Sequence, residues 1–122
     1  MRYKVSVTKS FAGAHFLRNY KGKCENLHGH NWKVKVVFGG DILQENGMLI
    51  DFTDVKKELE KITSCLDHKF LNETVPFDKL NPTAENIAEF IFEKLKKCET
   101  AFAKICQTEV WENETSSALF CL

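Results

Sequence analysis

The residue pattern predicts an α+β fold in which two helices cover one face of an antiparallel sheet. Three observations support this. Two long stretches near the N-terminus alternate polar and apolar residues with period two. Two central stretches repeat apolar residues at helical spacing, each behind a capping residue. The last twenty or so residues return to strand-like alternation around a polar turn.

In residues 3–16, Val5, Val7, Phe11 and His15 fall on one face and Lys4, Ser6, Thr8 and Ser10 on the other, the signature of a half-buried strand. Residues 17–27, with Gly22 and mixed polarity, read as a loop. Residues 28–39 alternate again: His28, His30, Trp32, Val34, Val36 and Phe38 share one face, with Lys33 and Lys35 opposite. Gly39-Gly40 and Asn46-Gly47 are breaks, and Met48–Phe52 is a short strand candidate. Thr53 is the expected N-cap of a first helix that turns Val55, Leu59, Ile62 and Leu66 inward. Asn81-Pro82-Thr83 opens a second helix, capped by Thr83, with Glu85 in its first turn and Ile87, Phe90, Ile91 and Leu95 on its apolar face. Residues 101–113 and 117–122 read as two strands joined at Asn113–Ser116. Such a sheet leaves a face and two edges needing cover, which points to an oligomer.

The chain length of 122 residues suits one domain over 1–122, and 43% hydrophobic content supplies a core. Seventeen basic residues balance seventeen acidic ones, which speaks against nucleic acid or an anionic membrane as the partner. Apolar runs are only a few residues long and the N-terminus lacks a signal-peptide pattern. The five cysteines have no C-x-x-C spacing, so reduced thiols and a cytoplasmic setting are expected.

The chemistry concentrates in Cys24-Glu25-Asn26-Leu27-His28-Gly29-His30. On a strand, His28 and His30 point to the same face, and His15 lies in phase on another strand. Three imidazoles with an open fourth position are the donor set of a catalytic zinc (Zn2+). Cys24 sits in a polar loop close by, where a thiolate suits the role of base or nucleophile better than that of a ligand. Asp67-His68 reads either as a helix terminus or as an acid–base histidine oriented by a carboxylate. Glu112, near a strand end, is either a surface carboxylate or one that accepts two hydrogen bonds from the amino and N–H edge of a planar heterocycle.

Taken in order, Phe11-Ala12-Gly13-Ala14-His15, Cys24 with His28-Gly29-His30, Gly47–Phe52, Leu66–Asn72, Asn81–Asn86 and Val110-Trp111-Glu112 resemble the 6-pyruvoyltetrahydropterin synthase superfamily. The C-x-x-x-H-G-H spacing resembles its carboxy-forming branch, the 6-carboxytetrahydropterin synthases; the pyruvoyl-forming branch has a longer gap. The resemblance implies the tunnelling fold: a four-stranded antiparallel sheet with two helices on one side. It implies trimeric barrels stacked in pairs as a homohexamer, with active sites between subunits. It assigns zinc to His15, His28 and His30, proton abstraction to Cys24, and an acid–base relay to Asp67 and His68 from a neighbouring subunit. Glu112 is then the pterin anchor, with Thr83 and Glu85 near that pocket.

The implied reaction converts 7,8-dihydroneopterin triphosphate to 6-carboxy-5,6,7,8-tetrahydropterin, acetaldehyde and triphosphate, on the way to 7-deazaguanine and queuosine. Zinc would hold and acidify the side-chain hydroxyls, and Lys9, Lys21 or Lys23 would meet the triphosphate. Glu25, directly after Cys24, resembles a glutamate that in some members cleaves dihydroneopterin compounds to 6-hydroxymethyl-7,8-dihydropterin for folate. A pyruvoyl-forming synthase and a non-catalytic pterin-binding module are the other readings.

Overall fold

A computed structural model describes residues 1–122 except the side chain of Lys23, so the expected contact of Lys23 with a triphosphate lies outside the described residues. The two alternating N-terminal stretches form β1 (Tyr3–His15) and β2 (His28–Gly40). They pair antiparallel over their whole length, with Phe11 opposite Trp32, Gly13 opposite His30 and His15 opposite His28. The first helix, α1 (Phe52–Ser64), follows an irregular segment. Next come β3 (Lys69–Phe70), α2 (Ala84–Leu95), β4 (Lys104–Asn113) and β5 (Ser116–Cys121). The sheet order is β3-β1-β2-β4-β5. The four expected antiparallel strands are present, and the two-residue β3 joins them parallel to β1 at Gly13 and Ala14. The sheet is therefore mixed and five-stranded.

Both helices cover the face that carries the odd-numbered residues of β1. Val7, Phe11, Trp32, Val34, Val36 and Phe38 from the sheet meet Val55, Leu59 and Ile62 of α1 and Ile87, Ile91, Phe92 and Leu95 of α2 in one core. Removing an apolar side chain of this size from water stabilises the fold by roughly 1.5–3 kcal/mol. Trp32 is wholly buried, and its indole N–H donates to the Gly13 carbonyl at 3.1 Å, so its one polar atom is satisfied. Among the described residues, no helix is long and apolar enough to cross a membrane.

Two local expectations change. Met48–Phe52 is not a strand. Its backbone groups are engaged locally, Gln44 N–H on the Met48 carbonyl and Gln44 Nε2 on the Leu49 carbonyl, while Leu49 and Ile50 turn into the core. The cap of α1 is Asp51 rather than Thr53: Asp51 Oδ1 accepts from the Thr53 N–H at 2.8 Å and the helix begins one residue before Thr53. A carboxylate serves the helix N-terminus at least as well as a hydroxyl and also meets the dipole. Thr83 does cap α2, accepting from the Asn86 N–H at 3.1 Å.

Gly40 ends β2 where the chain from Phe102 crosses it. A Cβ there would lie 2.0 Å from the Phe102 carbonyl oxygen and 2.7 Å from Leu49 Cδ1. Backbone cannot yield as a side chain does, so Gly40→Ala is expected to cost about 1–3 kcal/mol in urea unfolding. Gly29→Ala meets nothing within 4 Å and is expected to stay within about 0.5 kcal/mol of the parent.

Candidate metal centre

The β1–β2 register brings three of the four histidines together. His15 and His28 are direct cross-strand partners, and His30 is two residues from His28 on the same face. Their Nε2 atoms converge: His15 Nε2 and His28 Nε2 are 3.0 Å apart. Trp32 forms the floor, its ring centroid 4.9 Å from that of His15 and 5.3 Å from that of His30, both edge-on.

The outer nitrogens of His15 and His28 are tied down. His15 Nδ1–H donates to the Pro82 carbonyl and His28 Nδ1–H to the Asn26 carbonyl, each at 2.7 Å. These bonds select the tautomer that leaves a lone pair on Nε2, as carbonyl partners do for metal-ligating histidines. Two lone pairs 3.0 Å apart repel unless a cation lies between them. His30 Nε2 is buried and has no hydrogen bond of acceptable geometry among the described residues. The donor set and the orphaned nitrogen fit a metal ion.

The Pro82 carbonyl is placed by a staple between the loop after β1 and the segment before α2. Asn72 mimics a strand partner, its Oδ1 accepting from Phe16 N–H and its Nδ2 donating to the Phe16 carbonyl. Asn81 does the same for Arg18. The Arg18 guanidinium donates to the carbonyls of Asn72, Phe77, Asp78 and Leu80. No spacing rule reveals carbonyl acceptors, since every residue has one. Asn72 and Asn81 were visible only as members of longer motifs.

Glu112 joins the histidines. Its Oε1 is 3.1 Å from His15 Nε2 and 3.2 Å from His30 Nε2. The register between β4 and β5 shifts between Trp111 and Asn113, so Glu112 sits at a bulge, a device that re-aims side chains. The four ligand atoms of His15, His28, His30 and Glu112 all lie within 4.8 Å of one another.

The other expected residues lie outside this cluster. Cys24 is half-buried on a short 3-10 turn, Lys23–Glu25, and its carbonyl accepts from the Leu17 N–H. Glu25 beside it is exposed. Thr83 is occupied by its cap, and Glu85 is exposed on α2. Lys9 is ion-paired with Glu60 of α1, which draws it away from any shared anion site.

The Asp67 carboxylate does reach the ring of its neighbour: Oδ2 is 3.1 Å from His68 Nδ1. Oδ1 accepts from the Ala12 N–H at 2.9 Å, and this bond holds the Asp67 pKa below the usual carboxylate value. His68 is not at a helix end. It adopts a left-handed conformation (φ 56°), donates its N–H to the Ala12 carbonyl and leaves its ring 82% exposed. A groove of about 500 Å³ runs from His68 along Ala12, Ala14, Gly29 and Asn31 to His30.

Burial lowers the pKa of His15 from its ordinary 6.5, and the neighbouring His28 and His30 push the same way against the Pro82 carbonyl and Glu112. His30 is lowered too, again mainly by burial. The unfolded chain therefore binds protons that the folded one resists. Metal-free protein is expected to keep this contribution to stability above about pH 6.5 and to lose it as pH falls toward the lower folded value. Urea unfolding of chelated protein between about pH 8 and about pH 5.5 measures the slope, which is expected to shrink in His15→Gln.

Residues 4–121 match the 6-pyruvoyl tetrahydropterin synthase family. A 6-carboxy-5,6,7,8-tetrahydropterin synthase of Haemophilus influenzae is 36% identical across 98% of this chain and 96% of its own length. A dihydroneopterin monophosphate aldolase of Pyrococcus furiosus is 33% identical across 92% of this chain and 91% of its own. The structure of 6-pyruvoyl tetrahydropterin synthase from Caenorhabditis elegans superposes with a TM-score of 0.87 at 28% identity, covering 98% of this chain and 95% of that one. With the histidine cluster at the end of the β1–β2 pair and a family match over nearly its whole length, the chain belongs to the 6-pyruvoyl tetrahydropterin synthase family.

Proposed function

We propose that this chain, as one synthase domain over 1–122, is a zinc-dependent 6-carboxytetrahydropterin synthase. Its substrate is 7,8-dihydroneopterin triphosphate and its products are 6-carboxy-5,6,7,8-tetrahydropterin, acetaldehyde and triphosphate, in 7-deazaguanine and queuosine synthesis. The observation that carries this is the convergence of three imidazoles, two of which, His15 and His28, have their outer nitrogens committed to carbonyls and so turn their Nε2 lone pairs inward. The relative from Haemophilus influenzae adds the carboxy-forming branch.

His15, His28 and His30 hold the zinc ion, which supplies Lewis-acid polarisation of the substrate's side-chain oxygens. Glu112 accepts hydrogen bonds from the amino and N–H edge of the pterin and fixes its orientation. Cys24 takes a proton from the side-chain carbon, and His68, held by Asp67, passes protons to and from the reacting oxygens. Thr83 and Glu85 border the pterin pocket.

The exposed His68, bonded to Asp67, lines a groove that does not include Cys24, which supports a site completed between subunits. The short β3 and the terminal β5 are the outer strands of the sheet, suited to joining copies into trimeric barrels and a hexamer.

A second reading comes from Glu25, next to Cys24 on the same 3-10 turn, and from the aldolase relative. In it, Glu25 directs side-chain cleavage to 6-hydroxymethyl-7,8-dihydropterin.

Mass spectrometry of products from 7,8-dihydroneopterin triphosphate separates the readings. The 6-carboxy product with acetaldehyde is expected. A 6-pyruvoyl product moves the enzyme to that branch, a hydroxymethyl product to the cleavage reading, and no consumption leaves a binding module. Cys24→Ala is expected to lower kcat by about 10²–10⁴-fold with metal content unchanged, and Glu25→Ala to keep the carboxy product.

A further inference from the structure

The contacts around Glu112 ask more of its carboxylate than the pterin edge alone. Its Oε1 stands 3.1 Å and 3.2 Å from His15 Nε2 and His30 Nε2, and His15 Nε2 stands 3.0 Å from His28 Nε2. His15 and His28 present lone pairs there because their Nδ1–H groups are spent on carbonyls. A carboxylate oxygen is an acceptor as well. A proton on one ring relieves only the pairs which that ring itself makes; a cation among the four atoms relieves all of them.

Tetrahedral bonds of about 2.0–2.1 Å imply ligand–ligand edges of about 3.3 Å, close to the three contacts of 3.0, 3.1 and 3.2 Å, and all four atoms lie within 4.8 Å of one another. The fourth corner is thus met from within the chain, by a residue that arrives at a bulge on β4 and keeps 24% of its side chain exposed. The same carboxylate is the group suited to a pterin's N–H edge, and gripping that edge with both oxygens competes with ligation through Oε1.

We propose that Glu112 is an exchangeable fourth ligand, its Oε1 closing the three-histidine site in the substrate-free protein and leaving it when a pterin's N–H edge takes the carboxylate. The second half rests on the pterin reading above. The exchange couples the two ends of the substrate: seating the ring vacates the corner that the side-chain oxygens need. An idle site stays closed to stray ligands.

Full-length protein stripped by a chelator and reloaded with Co2+ provides the test, because visible bands of the ion report its ligands without turnover. Glu112→Gln is expected to weaken Co2+ binding at least about tenfold and to alter the bands, with circular dichroism unchanged. Glu112→Asp, the same charge on a shorter arm, is expected to weaken binding as well. Neopterin is expected to shift the wild-type bands as it binds, followed by pterin fluorescence.

Equal affinity and identical bands in wild type and both variants overturn the proposal alone. Neopterin that binds while the wild-type bands stay fixed overturns the exchange. Wild type that binds no Co2+ overturns the metal reading together with this one, whereas Co2+ binding with no neopterin binding overturns the pterin reading and the exchange built on it.

Discussion

The antiparallel register of β1 on β2 is the constraint from which the site follows. It sets His15 against His28 and places His30 beside them. Because strand side chains alternate, a slip of one residue would send the ligands of one strand to the opposite face. The register is held by apolar matching that starts at the floor of the site. Phe11 stacks on Trp32 with nearly parallel rings, the Trp32 indole bonds Gly13, and Val34, Val36 and Phe38 continue the buried row. Core packing and the geometry of the histidine cluster are set by one pairing, so the same hydrophobic face that folds the sheet aims the imidazoles.

Orientation within the cluster comes from the other side of the molecule. His15 is wholly buried, and its outer nitrogen depends on the carbonyl of Pro82, the residue just before the Thr83 cap of α2. The start of that helix is in turn stapled to the loop after β1 through Asn72, Asn81 and Arg18. A helix cap, a loop and a ligand therefore share one hydrogen-bond network. Its members satisfy backbone groups that would otherwise cost about 1–3 kcal/mol each if left buried and unpaired.

The chemistry splits into two environments. The histidine cluster lies at the His15–His28 end of the β1–β2 pair, where burial favours the neutral forms of His15 and His30. Asp67 and His68 lie at the sheet edge by β3, held by two hydrogen bonds to Ala12 yet open to solvent. A left-handed residue carrying an exposed ring is a place where the backbone spends free energy for direction rather than for packing.

The amino-acid pattern alone determined the α+β layout, the faces of β1 and β2, the second helix with its Thr83 cap, and the three histidines as one set. Each of these depends on local periodicity or on a residue's own backbone preferences, which one stretch of chain displays. The tertiary structure alone decided that Met48–Phe52 is irregular, that Asp51 caps α1, and that Lys69–Phe70 adds a parallel strand. It also decided that Pro82 and Asn26 orient the rings and that a bulge delivers Glu112 to them. The Pro82 bond and the β3 pairing depend on which distant backbone groups meet, the Asp51 cap and the Asn26 bond on which of several near neighbours is chosen, and every residue carries the same carbonyl and N–H. Composition and spacing cannot mark the ones that matter until the chain is folded.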